Sequence, residues 1–363
     1  MMRKSLLYTT AILLSVVAAA HGATFIVDST IDAVDAVPGD GVCATASAEC
    51  TLRAAISEAN ALPGADTINL PAGDFKIGLP GAAGDAGGDF NIRAPVTIVG
   101  ESARSTALVG DSDENNLTRV LNIAPDAGAV NVSHVTIRNG RTTSPPSPGG
   151  GVYVGERSTL TMRYVDIHNC RVAGSGGGVF AAEYATITIE NAAIYDNVAE
   201  IATGNGGGGI YTSRYTHLTL TNATIDSNSA LRGGGLSLSG TADISHATVT
   251  RNYSGQAIPG GIYPPFEPVH VRSSIFAANQ NRDGWSNCYY LDPVISDGYN
   301  VEDKGSCPFN RPDDVHQEPL LAARTDNGGE VGVSLAPLDG SPAINLAADL
   351  CPIVDQRGVA RTG

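Results

Sequence analysis

The sequence predicts an all-β fold, a right-handed parallel β-helix with a capping helix at its N-terminal end. Three observations carry that expectation. Six segments, "VNVSHVTIRN", "LTMRYVDIHN", "ITIENAAIYDN", "LTLTNATIDSN", "ADISHATVTRN" and "VHVRSSIFAAN", end on Asn139, Asn169, Asn197, Asn228, Asn252 and Asn279. Glycine clusters fall between them, at "GGGVYV" from Gly149, "GGGVF" from Gly176, "GGGGIY" from Gly206, "GGGLSL" from Gly233 and "GGIY" from Gly260. The intervening stretches are rich in Thr, Val and Ile at period two, which is strand patterning, and none has room for a useful helix.

A unit of this size cannot bury its apolar face alone, so successive units must stack. Parallel coils about 4.8 Å apart do this, with inward Ile, Val and Leu making one continuous core. The chirality of parallel crossovers makes the winding right-handed. Asparagine tolerates left-handed backbone, and its amide both donates and accepts, so the six asparagines are expected to form a hydrogen-bonded ladder at one corner. The glycines suit a second corner, where φ is positive or backbones approach closely. Coil length varies in the loops Arg141 to Pro148 and Ala199 to Asn205, where a repeat protein often displays its binding surface. A leucine-rich horseshoe echoes "LTLTNATIDSN", but its return segment is helical and here it is triglycine.

The ends read differently. Arg3 and Lys4 precede an apolar run from Leu6 to Ala20 and then "AAAHGA", the pattern of a secretory signal peptide over residues 1–22, cut after Ala20 or Gly22. Later runs are too short to span a membrane, so the mature chain is expected to be secreted or held at a cell surface, as a monomer. In "CTLRAAISEANALPG", Leu52, Ala55, Ile56 and Ala59 lie on one helical stripe that Pro63 and Gly64 stop, a lid for the first coil. The expected organisation is a cap over 24–95, repeats over 96–285, and final coils with a distinct end over 286–363.

The formal charge is −15, becoming −17 once Arg3 and Lys4 are removed. Such acidity disfavours nucleic acid and, less strongly, polyanionic sugars. In an exported chain without a CxxC pair, the six cysteines read as disulfide formers: Cys43 with Cys50 and Cys288 with Cys307 close loops, while Cys170 and Cys351 have no evident partner.

Two stretches carry a resemblance. Residues 40–73, "DGVCATASAECTLRAAISEANALPGADTINLPAG", resemble the CSLREA domain found at the start of exported bacterial β-helix proteins. The hexapeptide here is Cys50-Thr51-Leu52-Arg53-Ala54-Ala55, in which Ala54 replaces the glutamate of a capping box and leaves Thr51 to cap alone. "GYNVEDKGSC", "EPLLAARTDNGGE", "APLDGSPAINLA" and "CPIVDQRGVARTG" are similar to the choice-of-anchor Q domain, whose members end on surface-sorting signals. That domain usually continues past Asp-Gln-Arg-Gly, here Asp355 to Gly358, into Cys-Asp-x-Gly-Ala. The sequence stops at Gly363, so either a final strand is lacking or the chain is a piece of a longer one that supplies a partner for Cys351.

β-Helices of the pectate-lyase-like type serve many polysaccharide-cutting enzymes, so the catalytic motifs of such enzymes are the relevant signal. The Asn-Thr-Asp, Gly-Asp-Asp, Gly-His-Gly and Arg-Ile-Lys motifs of polygalacturonase-like chains do not occur. Asp166, Asp196 and Asp226 recur once per coil but fall at −3, −1 and −2 from the corner asparagine, which reads as solvated turns. "DSDEN" places Asp111, Asp113 and Asn115 like the start of a calcium loop, yet Asn116 and Asn122 stand where the loop needs Gly and Glu. His134, His168, His217, His246 and His270 lack ligand spacing and read as strand-surface residues. Trp285, Tyr289 and Tyr290 form an aromatic group that either stacks on sugars or packs beneath the Cys288 loop. The resulting expectation is a non-catalytic surface or extracellular module, adhesin-like or carbohydrate-binding, without cofactor, whose partner is a glycan or a surface protein. The alternative is a polysaccharide lyase or hydrolase, which needs two carboxylates facing an arginine in a lateral groove.

Overall fold

The computed structural model describes residues 21–81, 85–111, 117–143, 147–200, 206–263, 267–289, 293–347 and 350–361. Its main sheet stacks parallel rungs in chain order: Thr24–Ile26, Asp66–Leu70, Val96–Gly100, Ala129–Arg138, Thr159–His168, Thr186–Tyr195, His217–Asp226, Thr241–Ser245, Val269–Arg272 and Val294–Ser296. A second sheet stacks Phe90–Ile92, Leu121–Ile123, Val152–Val154, Val179–Ala181, Ile210–Thr212, Leu236–Leu238 and Ile262–Tyr263. A third is made of two-residue strands from Arg141–Thr142 to Gly284–Trp285. The coils between Ala129 and Tyr263 visit all three, so the fold is a parallel β-solenoid.

Register explains the core. Leu160, Met162, Val165 and Ile167 lie level with Ile187, Ile189, Ala192 and Ile194, and these with Leu218, Leu220, Ala223 and Ile225. All twelve are buried. Inward residues skip from Met162 to Val165 because the sixth residue of each ten-residue strand is left-handed and turns the strand: His134, Tyr164, Asn191 and Asn222 have φ of 57°, 53°, 54° and 50°. His246 and Ser273 continue that bend at 53° and 49°.

The asparagine corner differs from expectation by one residue in two coils. Asn197, Asn228, Asn252 and Asn279 are fully buried, and each amide Nδ2 donates to the Oδ1 of the next, at 3.0, 3.0 and 2.9 Å. Asn279 passes the chain on to Asn287, which the repeat pattern did not include. Asn139 and Asn169 are not on the ladder. They are the left-handed turn residues, with φ of 61° and 55°, and their equivalents in later coils are Asp196, Ser227, Arg251 and Ala278. The ladder position in those coils is taken by Gly140 and Cys170, and the Cys170 N–H donates to Asn197 Oδ1 at 3.0 Å. Positive φ and amide laddering, expected of one residue, thus belong to two neighbours.

The glycine clusters serve the same corner. A Cβ added at Gly178 would sit 3.1 Å from Asn197 Nδ2 and 2.7 Å from the Gly209 carbonyl. The glycine column lies directly against the ladder, and side chains there would push the coils apart.

At the N-terminal end, the helix Leu52–Ala61 is capped by Thr51, whose side chain accepts from the Ala54 N–H at 3.1 Å. Leu52, Ala55, Ile56 and Ala59 join the solenoid core. The opposite face is buried too, against the preceding loop. Arg53 is 2% exposed and grips Asp32 through Nε and Nη2 at 2.6 and 3.0 Å, and Glu58 accepts from the Gly39 and Gly41 N–H groups at 2.6 and 2.8 Å. Cys43–Cys50 and Cys288–Cys307 are disulfides, while Cys170 is a buried thiol and Cys351 an exposed one. The predicted signal peptide lies outside the described residues apart from His21 and Gly22. No helix among the described residues is long and apolar enough to cross a membrane.

Candidate functional site

Two surfaces gather chemistry. On the first, the C-terminal segment 319–361 returns along the main sheet and covers the arms beyond the bend. Arg324 reaches both Asp226 and Asp196, the latter at 2.5 Å, and lies 4.2 Å over the Tyr195 ring. Arg251 adds a two-point grip on Asp226 at 2.7 and 2.8 Å. The Gly332 N–H donates to Asp166 Oδ2 at 2.7 Å, and the Thr224 hydroxyl donates to Gln356 Oε1 at 2.6 Å.

The expectation of solvated turns fails for two of the three aspartates: Asp166 is 2% exposed and Asp226 fully buried. Burial pushes the Asp166 carboxyl up to about 7, against the Gly332 N–H and the Arg104 guanidinium, which pull it down. Burial likewise lowers His168 to about 4, with Arg138 and Arg324 adding to the effect, and the ring stacks on Tyr195 at 4.7 Å. Two carboxylates do face an arginine, as an enzyme's groove requires, but here the guanidinium lies on both of them. The cation comes from the chain's own far end, so the arrangement holds the segment down.

The second surface is open. A groove of about 640 Å³ runs over the second sheet, between Arg119, Asn122, Tyr153, Phe180, Glu156 and Glu183. Tyr153, Phe180 and Tyr211 form one column because they are level in register, and their rings stack at 5.5 and 5.1 Å; Tyr153 and Phe180 line the groove, while Tyr211 is buried beside it. Arg119 covers the other face of Tyr153, 5.0 Å from the ring centre, and is itself held by Asp89 at 2.8 Å. Glu156 and Glu183 are exposed at the rim, and beside Glu183 in the chain Tyr184 stacks on Tyr215 at 5.0 Å, both more than half exposed. This column lay outside the sequence expectations, although "VYV", "VFA" and "IYT" each hold an aromatic residue four or five places after a glycine cluster begins.

The other sequence candidates stay apart. Asp111 is buried and pairs with Lys76 at 3.1 Å, while Asp113 and Asn115 lie outside the described residues. Among the described residues no group of three or more His, Cys, Asp or Glu side chains could hold a metal. His217 bonds Thr241 at 3.0 Å, His270 bonds Asp297 at 3.0 Å and His134 stacks on Tyr164, so each belongs to a different local contact. Trp285 is 54% exposed with Lys304 over its ring, rather than packed beneath the disulfide loop, and Tyr289 meets Tyr263 edge to face. Tyr290 lies outside the described residues.

Residues 119–264 match the family model described as a right handed beta helix region. The solenoid is a right-handed parallel β-helix. Among solved structures the chain is similar to pectate lyase Pel9A, with 12% identity over 95% of this chain and 88% of that one and a TM-score of 0.44. It is also similar to the pectin methylesterase PemA from Erwinia chrysanthemi, with 13% identity over 83% and 94% and a TM-score of 0.42. Likeness at that level transfers no activity. No curated protein matches the sequence.

Proposed function

We propose that this β-helix is an exported, non-catalytic carbohydrate-binding module, adhesin-like in its use of a rigid shaft, and that its second-sheet groove takes a neutral glycan chain. The supporting observation is the half-buried pair Tyr153 and Phe180, backed by the buried Tyr211 and flanked by Glu156, Glu183, Arg119 and Asn122. Aromatic rings supply an apolar wall for sugar C–H groups, while the carboxylates, amide and guanidinium bond hydroxyls. A coil repeat of about 4.8 Å is close to one pyranose unit, so a periodic polymer meets the same chemistry at successive sugars. Glutamates at the rim of a chain of charge −15 favour an uncharged polymer over a polyuronate. A second reading, a polysaccharide lyase or hydrolase, draws on Asp196 and Asp226 facing Arg324. It requires the C-terminal segment to leave that surface before substrate can enter.

Calorimetric titration with neutral plant and bacterial glycans, alongside polygalacturonate and alginate, tests the proposal. Saturable binding of a neutral glycan, weakened at least tenfold by Tyr153→Ala together with Glu183→Gln, is expected. Unsaturated product absorbing at 235 nm from either polyuronate would reverse the order of the two readings.

A further inference from the structure

Between the C-terminal segment and the bend of the main sheet lies a cavity of about 590 Å³, on a different sheet from the aromatic groove. Its polar lining includes His246, Ser273 and Asn222 from the bend, and Arg361 from the segment. Both ring nitrogens of His246 and the Ser273 hydroxyl are shut off from solvent; among the described residues the hydroxyl has no hydrogen-bond partner, and the imidazole has at most the Leu350 backbone, which leaves at least one ring nitrogen unpartnered. Buried polar groups in folded proteins nearly always have partners, so an unpartnered hydroxyl and ring nitrogen lining one cavity call for a bound group.

Charge indicates its sign. Arg357 is held by Asp355, through Nε and Nη2 at 2.8 and 2.6 Å, and by the Asn327 carbonyl at 2.8 Å. Among the described residues the Arg361 guanidinium makes one hydrogen bond, to Asn222 Oδ1 at 3.2 Å, and pairs with no carboxylate. The lining therefore carries one uncompensated positive charge in a strongly acidic chain. Burial lowers His246 to about 4, with the Arg361 and Arg272 guanidinium groups adding to it against a smaller opposing effect of the Leu350 backbone. The imidazole is thus neutral, offering one donor and one acceptor, as a hydroxyl does.

We propose that this cavity binds a small hydroxylated carboxylate, its anionic group on Arg361 and its hydroxyls on His246 and Ser273. The volume leaves ample room for a single sugar acid or a comparable hydroxy acid. Because the ligand bridges the segment and the bend, occupancy also fastens the segment to the solenoid.

Calorimetry on the purified chain with D-gluconate, glucose, acetate and inorganic phosphate tests the assignment. Saturable one-to-one binding of gluconate is expected, with the other three at least tenfold weaker. Arg361→Gln, at an exposed position, should weaken gluconate at least tenfold without moving the melting midpoint, and His246→Phe should do the same to binding. Absence of saturable heat with gluconate, which would leave the cavity to water, overturns the proposal. So does gluconate binding indifferent to Arg361→Gln, or glucose or phosphate bound as tightly as gluconate. Should His246→Phe fail to fold, Arg361→Gln decides alone.

Discussion

Asn197 is joined to Asn228 twice: its amide Nδ2 and its backbone N–H both donate to Asn228 Oδ1 at 3.0 Å. Asn228 in turn donates to the Ile194 carbonyl at 2.9 Å and, from both its nitrogens, to Asn252 Oδ1. One side chain thereby satisfies polar groups in the coils on either side, within the buried core. Asn228→Leu should therefore lower stability by about 3 kcal/mol or more, since each buried group left unpaired costs about 1–3 kcal/mol. The matched control is Ser227→Asn, because Ser227 is the left-handed turn residue and asparagine already occupies that place at Asn139 and Asn169. Urea melts should show the control within about 0.5 kcal/mol of wild type. Equal midpoints for Asn228→Leu and wild type would refute the ladder.

Asp166 makes stability fall as pH rises. Its folded pKa, about 7, lies above the ordinary 3.8, so between those values the native state holds a proton that the unfolded chain has lost. Its contribution is neutral below pH 4 and adverse above pH 7. Asp166→Asn, which keeps an acceptor for the Gly332 N–H, should match wild type near pH 4. At pH 8 it should be more stable by on the order of a few kcal/mol. Thermal melts across that range measure the difference.

His168 acts in the opposite direction. Burial sets its folded pKa near 4, below the ordinary 6.5, so the unfolded chain takes up the proton first and stability is lost as pH falls from 6.5 to 4. His168→Phe retains the stack on Tyr195 and removes the titrating group. Its melting midpoint should decline less than that of wild type between pH 6.5 and 4, and identical slopes would show that His168 does not carry the effect.

Arg324 fastens the C-terminal segment through Asp196, Asp226 and the Tyr195 ring. Arg324→Ala leaves Asp226 its Arg251 partner, so the coils should stay folded while the segment loosens. Limited proteolysis should cut within 319–361 at least tenfold faster than in wild type, with the coil region still resistant. An unchanged cleavage pattern would mean that the remaining contacts suffice.

The coil is legible in the amino-acid order because its signals are local: alternating apolar residues, a glycine cluster and an asparagine within each 24 to 31 residues. That order also holds the correction to the ladder. The corner asparagine comes two residues after the last inward apolar residue at Ile137 and Ile167, but three after it at Ile194, Ile225, Val249 and Phe276. That extra residue separates an exposed turn from a buried rung. Both short disulfide loops and the Thr51 cap were legible for the same reason.

The surfaces depend instead on contacts between residues far apart in the chain. Glu58 and Arg53 sit on what reads as the helix's polar face, and are buried because a loop starting before residue 43 wraps it. The pairing of Arg324 with Asp226 spans 98 residues, and that of Gly332 with Asp166 spans 166. Nothing local marks such partners, because an aspartate at a turn looks the same whether solvent or a returning chain covers it. The aromatic column is of the same kind: one tyrosine or phenylalanine per coil is unremarkable until register stacks them. A solenoid's interior is written in its repeat, whereas its outer surface takes meaning only from which coils lie level and what folds back across them.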